Sequence, residues 1–224
     1  MRVLLFVGML IVAAAMLGRI AVDAQAGEQK PFKTPEEAFA AAKAAAEQGN
    51  LKAVVATFTD ETIDGHTGLM VVLGAGAQKA GAVLDKTAED KARTKMIGEV
   101  LSRHGVTPEL IGAVETWARN LKDENPAEGL VTLRKLLAPM KDRVSFVGDM
   151  MTLLSQGKAV KPFEDLKTGQ LRNVTVDGGK AKGALTLKKD GKEISEVLEF
   201  RNEGGGWKIH MESKKKKPAP KGAP

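Results

Sequence analysis

The spacing of apolar residues changes once along this chain, and the change divides it. Up to about residue 155, apolar side chains recur every three or four positions, as on one face of a helix. From Gly169 onward they alternate, with turn residues between short runs. Helices that all precede the strands define an α+β chain rather than interleaved βαβ units. Hydrophobic residues make up 43% of the 224 and aromatic ones 4%, so the core must rest on Leu, Val, Ile, Met and Ala.

The helical part, about 34–155, reads as about six helices. Thr34, Pro35 and Glu37 give an N-cap, a first-turn proline and a capping box. That Ala-rich helix runs to Gln48, where Gly49-Asn50 stops it, and a second covers Leu51 to Phe58. Thr59-Asp60-Glu61-Thr62 reads as the turn into a Gly- and Ala-rich helix over 66–84. Ala92, Met96, Ile97, Val100 and Leu101 form the next apolar stripe, ended by His104-Gly105. Thr107-Pro108-Glu109 opens the stripe Leu110, Ile111, Val114, Trp117, Ala118 and Leu121. Asn125-Pro126-Ala127-Glu128 opens a helix that Pro139 breaks, and a last one spans Met140 to Leu154.

The sheet, about 169–212, reads as a four-stranded antiparallel meander with one buried side. Val174 and Val176, then Leu185 and Leu187, then Ile194, Leu198 and Phe200, then Trp207, Ile209 and Met211 share faces along successive strands. Asp177-Gly178-Gly179, Asp190-Gly191 and Gly204-Gly205-Gly206 mark the hairpins. Helices and sheet make a single domain over 27–213, with 27–33 as a linker.

The two ends are of another kind. Met1-Arg2, the uncharged apolar run Val3 to Gly18 and the small residues up to Ala26 have the layout of a signal peptide over 1–26, cut after Ala24 or Ala26. The run is too short to span a membrane, and no transmembrane helix is expected once the leader is removed. The expected location is the periplasm or the secreted fraction. With no Cys there is no lipidated N-terminal cysteine, thiolate chemistry or thiolate metal site. Residues 214–224, with Lys214, Lys215, Lys216, Lys217 and Lys221, cannot bury apolar surface and should be disordered. The formal net charge is +6; the leader supplies +1 of it and the tail lysines +5, so the body is close to neutral. A neutral body lacks the basic face of a specific nucleic-acid binder. The tail itself reads either as a solvated end or as a contact to polyanions or the cell envelope.

Thr34-Pro35-Glu36-Glu37-Ala38-Phe39, with Gly49-Asn50-Leu51-Lys52-Ala53, resembles the first two helices of the nuclear transport factor 2-like (cone-fold, SnoaL-like) superfamily. Val174 to Ala181 and Gly206-Trp207-Lys208-Ile209 resemble its last strands. The resemblance covers about a third of the chain and implies a curved sheet closed over a helical layer. It brings no catalytic motif, and the helical stretch 85–155 departs from the compact family. The superfamily holds enzymes and non-enzymes alike.

Asp60, Glu61, Asp64 and His66 are the densest set of metal-ligating types, with Asp60, Asp64 and His66 the metal candidates; Thr-Asp-Glu-Thr is equally helix-start chemistry. Glu196 alternates onto the face of Ile194, Leu198 and Phe200, so it is either a pocket acid, with His66 as the second catalytic candidate, or a residue at the sheet margin or turned outward by a bulge. Val71 to Gly76 begins like a dinucleotide loop, but Lys79 stands where the third glycine belongs, so small-residue helix packing is the preferred reading and no cofactor is expected. His104 reads as a C-terminal helix cap, and His210 alternates toward solvent. Ser145 lacks a nucleophile-elbow setting, and Asn173-Val174-Thr175 matches a glycosylation sequon. The expectation is a non-enzymatic exported binding or envelope-associated module. The alternative is a small-molecule-binding or catalytic cone with a pocket acid at Glu196.

Overall fold

A computed structural model of the chain describes residues 31–84, 87–121, 125–156, 162–189 and 191–211. The leader, residues 27–30 of the linker and the lysine tail lie outside the described residues. The described residues all fall in one compact unit, Pro31–Pro224.

Eight helices and four strands follow in order among these residues. They are α1 (Pro35–Glu47), α2 (Leu51–Ala56), α3 (Asp60–Leu84), α4 (Ala88–Arg103), α5 (Pro108–Asn120), α6 (Pro126–Leu136), α7 (Arg143–Ser155) and α8 (Glu164–Thr168), then β1 (Gln170–Asp177), β2 (Lys180–Lys189), β3 (Lys192–Glu203) and β4 (Gly206–His210). The α+β class therefore holds, with eight helices among the described residues rather than about six, α8 joining the seven segments named above. The five-residue α8 falls between the two periodic regions, where neither period signals it.

Helix starts follow from short side chains that accept main-chain N–H groups. Thr34, Asn50, Thr107, Asn125 and Asp142 each cap the helix behind them. The capping box expected at α1 is not formed, because the Glu37 carboxylate accepts the Lys33 N–H at 2.7 Å instead of the Thr34 N–H. A reciprocal box is found at α4, between Thr87 and Asp90. Gly49, at φ +70°, reverses the chain after α1.

Asp60 to Thr62 of the expected turn and the helix over 66–84 belong to one continuous α3 of 25 residues. It is the axis of the helical body, with α4, α5, α6 and α7 packed on it. Its glycines permit close approach: a Cβ at Gly68 would stand 3.0 Å from Leu133 Cδ1, and one at Gly74 would stand 3.1 Å from Met150 Cε.

The sheet has the order β1-β2-β3-β4, antiparallel throughout. Gly204 and Gly205, at φ +61° and +83°, make the two-residue turn between β3 and β4. The β1–β2 register slips between Arg172 and Thr175, where Asn173 takes φ +52°. Twelve-residue β3 outruns five-residue β4, which pairs only with Glu199–Glu203. The outer edge of β4 is taken up by other main chain. Ile209 N–H donates to Thr57 O, Thr59 N–H donates to Ile209 O, and Trp207 N–H donates to Phe32 O, each at 2.9 Å. Phe32 is thus part of the sheet edge and not linker, because an open β4 edge would leave these groups unpaired. Phe58, Phe146, Phe200, Leu133, Met150 and Ile209 are fully buried, in one apolar cluster drawn from both helices and sheet.

Candidate functional site

The first two turns of α3 hold the acids singled out above, and each of them meets a cation. Asp64 is buried and accepts from Arg134 Nε of α6 at 2.8 Å and from Arg143 of α7. Glu61 pairs with Arg201 of β3, and Asp60 with Lys208 Nζ of β4 at 3.2 Å. The Asp60 N–H donates to Glu203 Oε2 at 3.1 Å, so an acid of the sheet also faces the positive end of α3. His66 is half-buried; its Nδ1 lies 2.8 Å from Thr62 O, and its ring is 6.0 Å from that of Phe58.

This geometry does not make a metal centre of Asp60, Asp64 and His66. The Asp64 oxygens face guanidinium groups, and two cations beside it repel a third. Among the described residues no group of three or more His, Asp or Glu could hold a metal ion. What the acids do is join elements. Asp64 pins α6 and α7 to α3, while Asp60 and Glu61 dock α3 on the β3–β4 hairpin. Hydrogen bonding to Asp64 raises the pKa of Arg134 against the opposing effect of burial, which keeps that cation charged.

Glu196 is exposed, as an acid lining an enclosed pocket would not be. Its position explains this. It pairs with Leu185 on the half of β3 that extends past the end of β4, so the sheet has no fourth strand beside it. The margin reading of Glu196 is the one that fits.

A second polar group centres on Asp149, six residues along α7 from Arg143. His104 Nε2 of the α4 C-cap stands 3.0 Å from Asp149 Oδ2 of α7, and Asp149 Oδ1 stands 3.2 Å from Lys52 Nζ of α2. The His104 ring meets Phe146 edge-on at 5.5 Å. His104 therefore caps its helix, as expected, and also ties α4 to α7. Burial pushes the Asp149 pKa up, but hydrogen bonds from His104 and Lys52 outweigh it and the carboxyl is held below its ordinary value. Asp142 is lowered likewise: burial opposes, and hydrogen bonds from Ser145 prevail. On the sheet, the Lys182 hydrogen bond, set against partial burial, holds Glu199 low.

His210 corrects the alternation. It is 2% exposed rather than solvent-facing, with Nδ1 3.1 Å from Thr59 Oγ1. Thr59 Oγ1 lies 2.8 Å from Thr62 Oγ1, which accepts the Met211 N–H at 3.0 Å. Both faces of β4 are covered at this end, one by the apolar core and the other by the start of α3. Strand period alone assumes that one face is wet.

Val71 to Gly76 lie inside α3, where Gly74 meets α4 and α7 side chains, so the small-residue packing reading fits. Ser145 N–H donates to the Asp142 carboxylate at the start of α7. Asn173 of the sequon is exposed at the β1 bulge. The partners Arg134, Arg143, Arg201 and Lys208 carried no signal in the sequence, being single cations in unrelated segments. Comparison with protein-family models, with curated proteins and with solved structures found no match.

Proposed function

We propose that the chain is an exported, non-enzymatic binding or envelope-associated module. The observation that carries this reading is the leader pattern of residues 1–26 ahead of a near-neutral body. It is supported by the use of the candidate acids: Asp60, Glu61 and Asp64 are each held by cations that join one element to another. The cone with a pocket acid is not adopted, since Glu196 is exposed. Kinship with the nuclear transport factor 2-like superfamily is part of the proposal. It is supported by the α1–α2 step through Gly49-Asn50 and by Trp207-Lys208-Ile209 closing the sheet.

Fractionation of the producing cell, with intact-mass measurement of the recovered chain, tests the reading. The expected result is recovery from the exported fraction with an N-terminus at Gln25 or Gly27. A cytoplasmic chain that retains Met1 to Ala26 would overturn it.

A further inference from the structure

The edges of the sheet are treated differently. The outer edge of β4 is filled by main chain of Phe32, Thr57 and Thr59. The pairing of β1 is interrupted by the bulge at Asn173, a device that makes an edge strand a poor template. The first half of β3 has neither protection. It pairs with β2 without a register break from Lys192 to Arg201, while β4 stops opposite Glu199. Among the described residues no strand pairs with Lys192 to Leu198 on the side away from β2.

The alternation of an antiparallel ladder shows which groups are left over there. The Asn202 N–H donates to Gly179 O at 2.8 Å, so Asn202 turns its main chain toward β2. Counting back by twos along the unbroken ladder, Leu198, Glu196, Ile194 and Lys192 do the same. Val197, Ser195 and Glu193 therefore direct their N–H and C=O groups into the open side. All three are exposed, Val197 at 70%. A straight row of such groups is a template for another strand.

Charged side chains on an edge commonly keep other strands off. Here their order suits one partner. Lys192, Ile194 and Glu196 share a face of β3. An antiparallel copy centred on Ile194 sets Lys192 opposite the partner's Glu196, Ile194 opposite the partner's Ile194, and Glu196 opposite the partner's Lys192. Glu193 then faces the partner's Ser195, and Ser195 the partner's Glu193. These are the outward-directed positions, so each such pair exchanges both main-chain hydrogen bonds. Other registers fit worse. Centred on Glu193 or on Glu196, a carboxylate opposes its own copy. Centred on Ser195, Lys192 meets Leu198 and Glu196 meets Ile194, so no charge finds its opposite.

We propose that residues 192–197 of β3 form a homodimer interface, in which a second copy of this chain pairs antiparallel across a two-fold axis at Ile194 and the two four-stranded sheets become one. Main-chain bonds supply the attachment, as in other strand additions. The Lys192–Glu196 pairs set the register and the choice of partner.

Sedimentation equilibrium of the full chain tests the proposal. The shared edge is smaller than a standard interface, so a monomer–dimer equilibrium with a dissociation constant on the order of 0.1 mM is expected. Lys192→Glu and Glu196→Lys should each raise that constant on the order of 10-fold, because each sets like charges opposite one another on both sides of the axis. Lys192→Glu/Glu196→Lys should restore dimerisation, and an equimolar mixture of the two single variants should form a heterodimer. Ser195→Pro removes an outward N–H without touching the bonds to β2 and should leave a monomer, with unchanged circular dichroism showing that it folds.

A wild-type chain that stays monomeric at about 1 mM would overturn the proposal. So would a dimer that persists in folded Ser195→Pro or ignores both single charge changes, since it must use another face. Single variants that weaken the dimer without rescue in the double variant or in the mixture also refute it, because the Ile194 register requires both rescues.

Discussion

Asp64 is 1% exposed, but the two arginines that hold it are 59% and 31% exposed. The asymmetry decides what each substitution costs. Asp64→Ala frees two guanidinium groups that can turn to water, and should lower stability by about 1–2 kcal/mol. Arg134→Ala/Arg143→Ala leaves a carboxylate buried with no cation, and should cost about 3–5 kcal/mol. Urea unfolding midpoints of the two variants check the order; a costlier Asp64→Ala would show that the acid is not the stranded partner. The acids themselves are legible in the sequence as a dense run from Asp60 to His66. Their purpose is not, because Arg134 and Arg143 lie 70 and 79 residues from Asp64, and Arg201 lies 140 from Glu61.

At the scale of elements, the helical glycines divide by what stands opposite them. Gly148 of α7 faces α2, where an added Cβ would meet Lys52 Cα at 3.0 Å and Lys52 N at 3.1 Å. Backbone cannot step aside as a side-chain tip can. Gly148→Ala gains about 1 kcal/mol of helix propensity but incurs an overpacking cost of about 1–3 kcal/mol. The expected net effect is a loss of about 1 kcal/mol. Gly76→Ala meets nothing and should gain about 0.5–1 kcal/mol. Thermal melts of the two variants should therefore move in opposite directions, and a shared direction would refute the close α2–α7 approach. Helix starts were readable because a cap spans three residues, as from Thr34 to Glu37 or Asn50 to Ala53. The Glu37 side chain departs from the capping-box pattern because the Lys33 N–H offers it a competing donor that no residue pattern distinguishes.

At the scale of the molecule, the helical body and the sheet share one apolar cluster, and Thr57 to Thr59 bond to the edge of β4. The two halves should unfold together. Trp117 donates from Nε1 to Gly129 O at 2.7 Å within the helical body, and Trp207 is buried in β4. Trp207→Phe leaves a reporter in the helices, and Trp117→Phe leaves one in the sheet. In each single-tryptophan variant, urea midpoints by fluorescence and by helical circular dichroism should coincide; separated midpoints would mean two cooperative units. The α+β order, the caps and the hairpins were present in residue spacing, since each arises from neighbours a few positions apart. The cations that meet Asp64, the burial of His210 and the exposure of Glu196 were settled by which element lies against which. The contacts of Asp64 and His210 cross 70 residues or more, the exposure of Glu196 turns on how short β4 is beside β3, and a strand's period reports that a face exists but not what covers it.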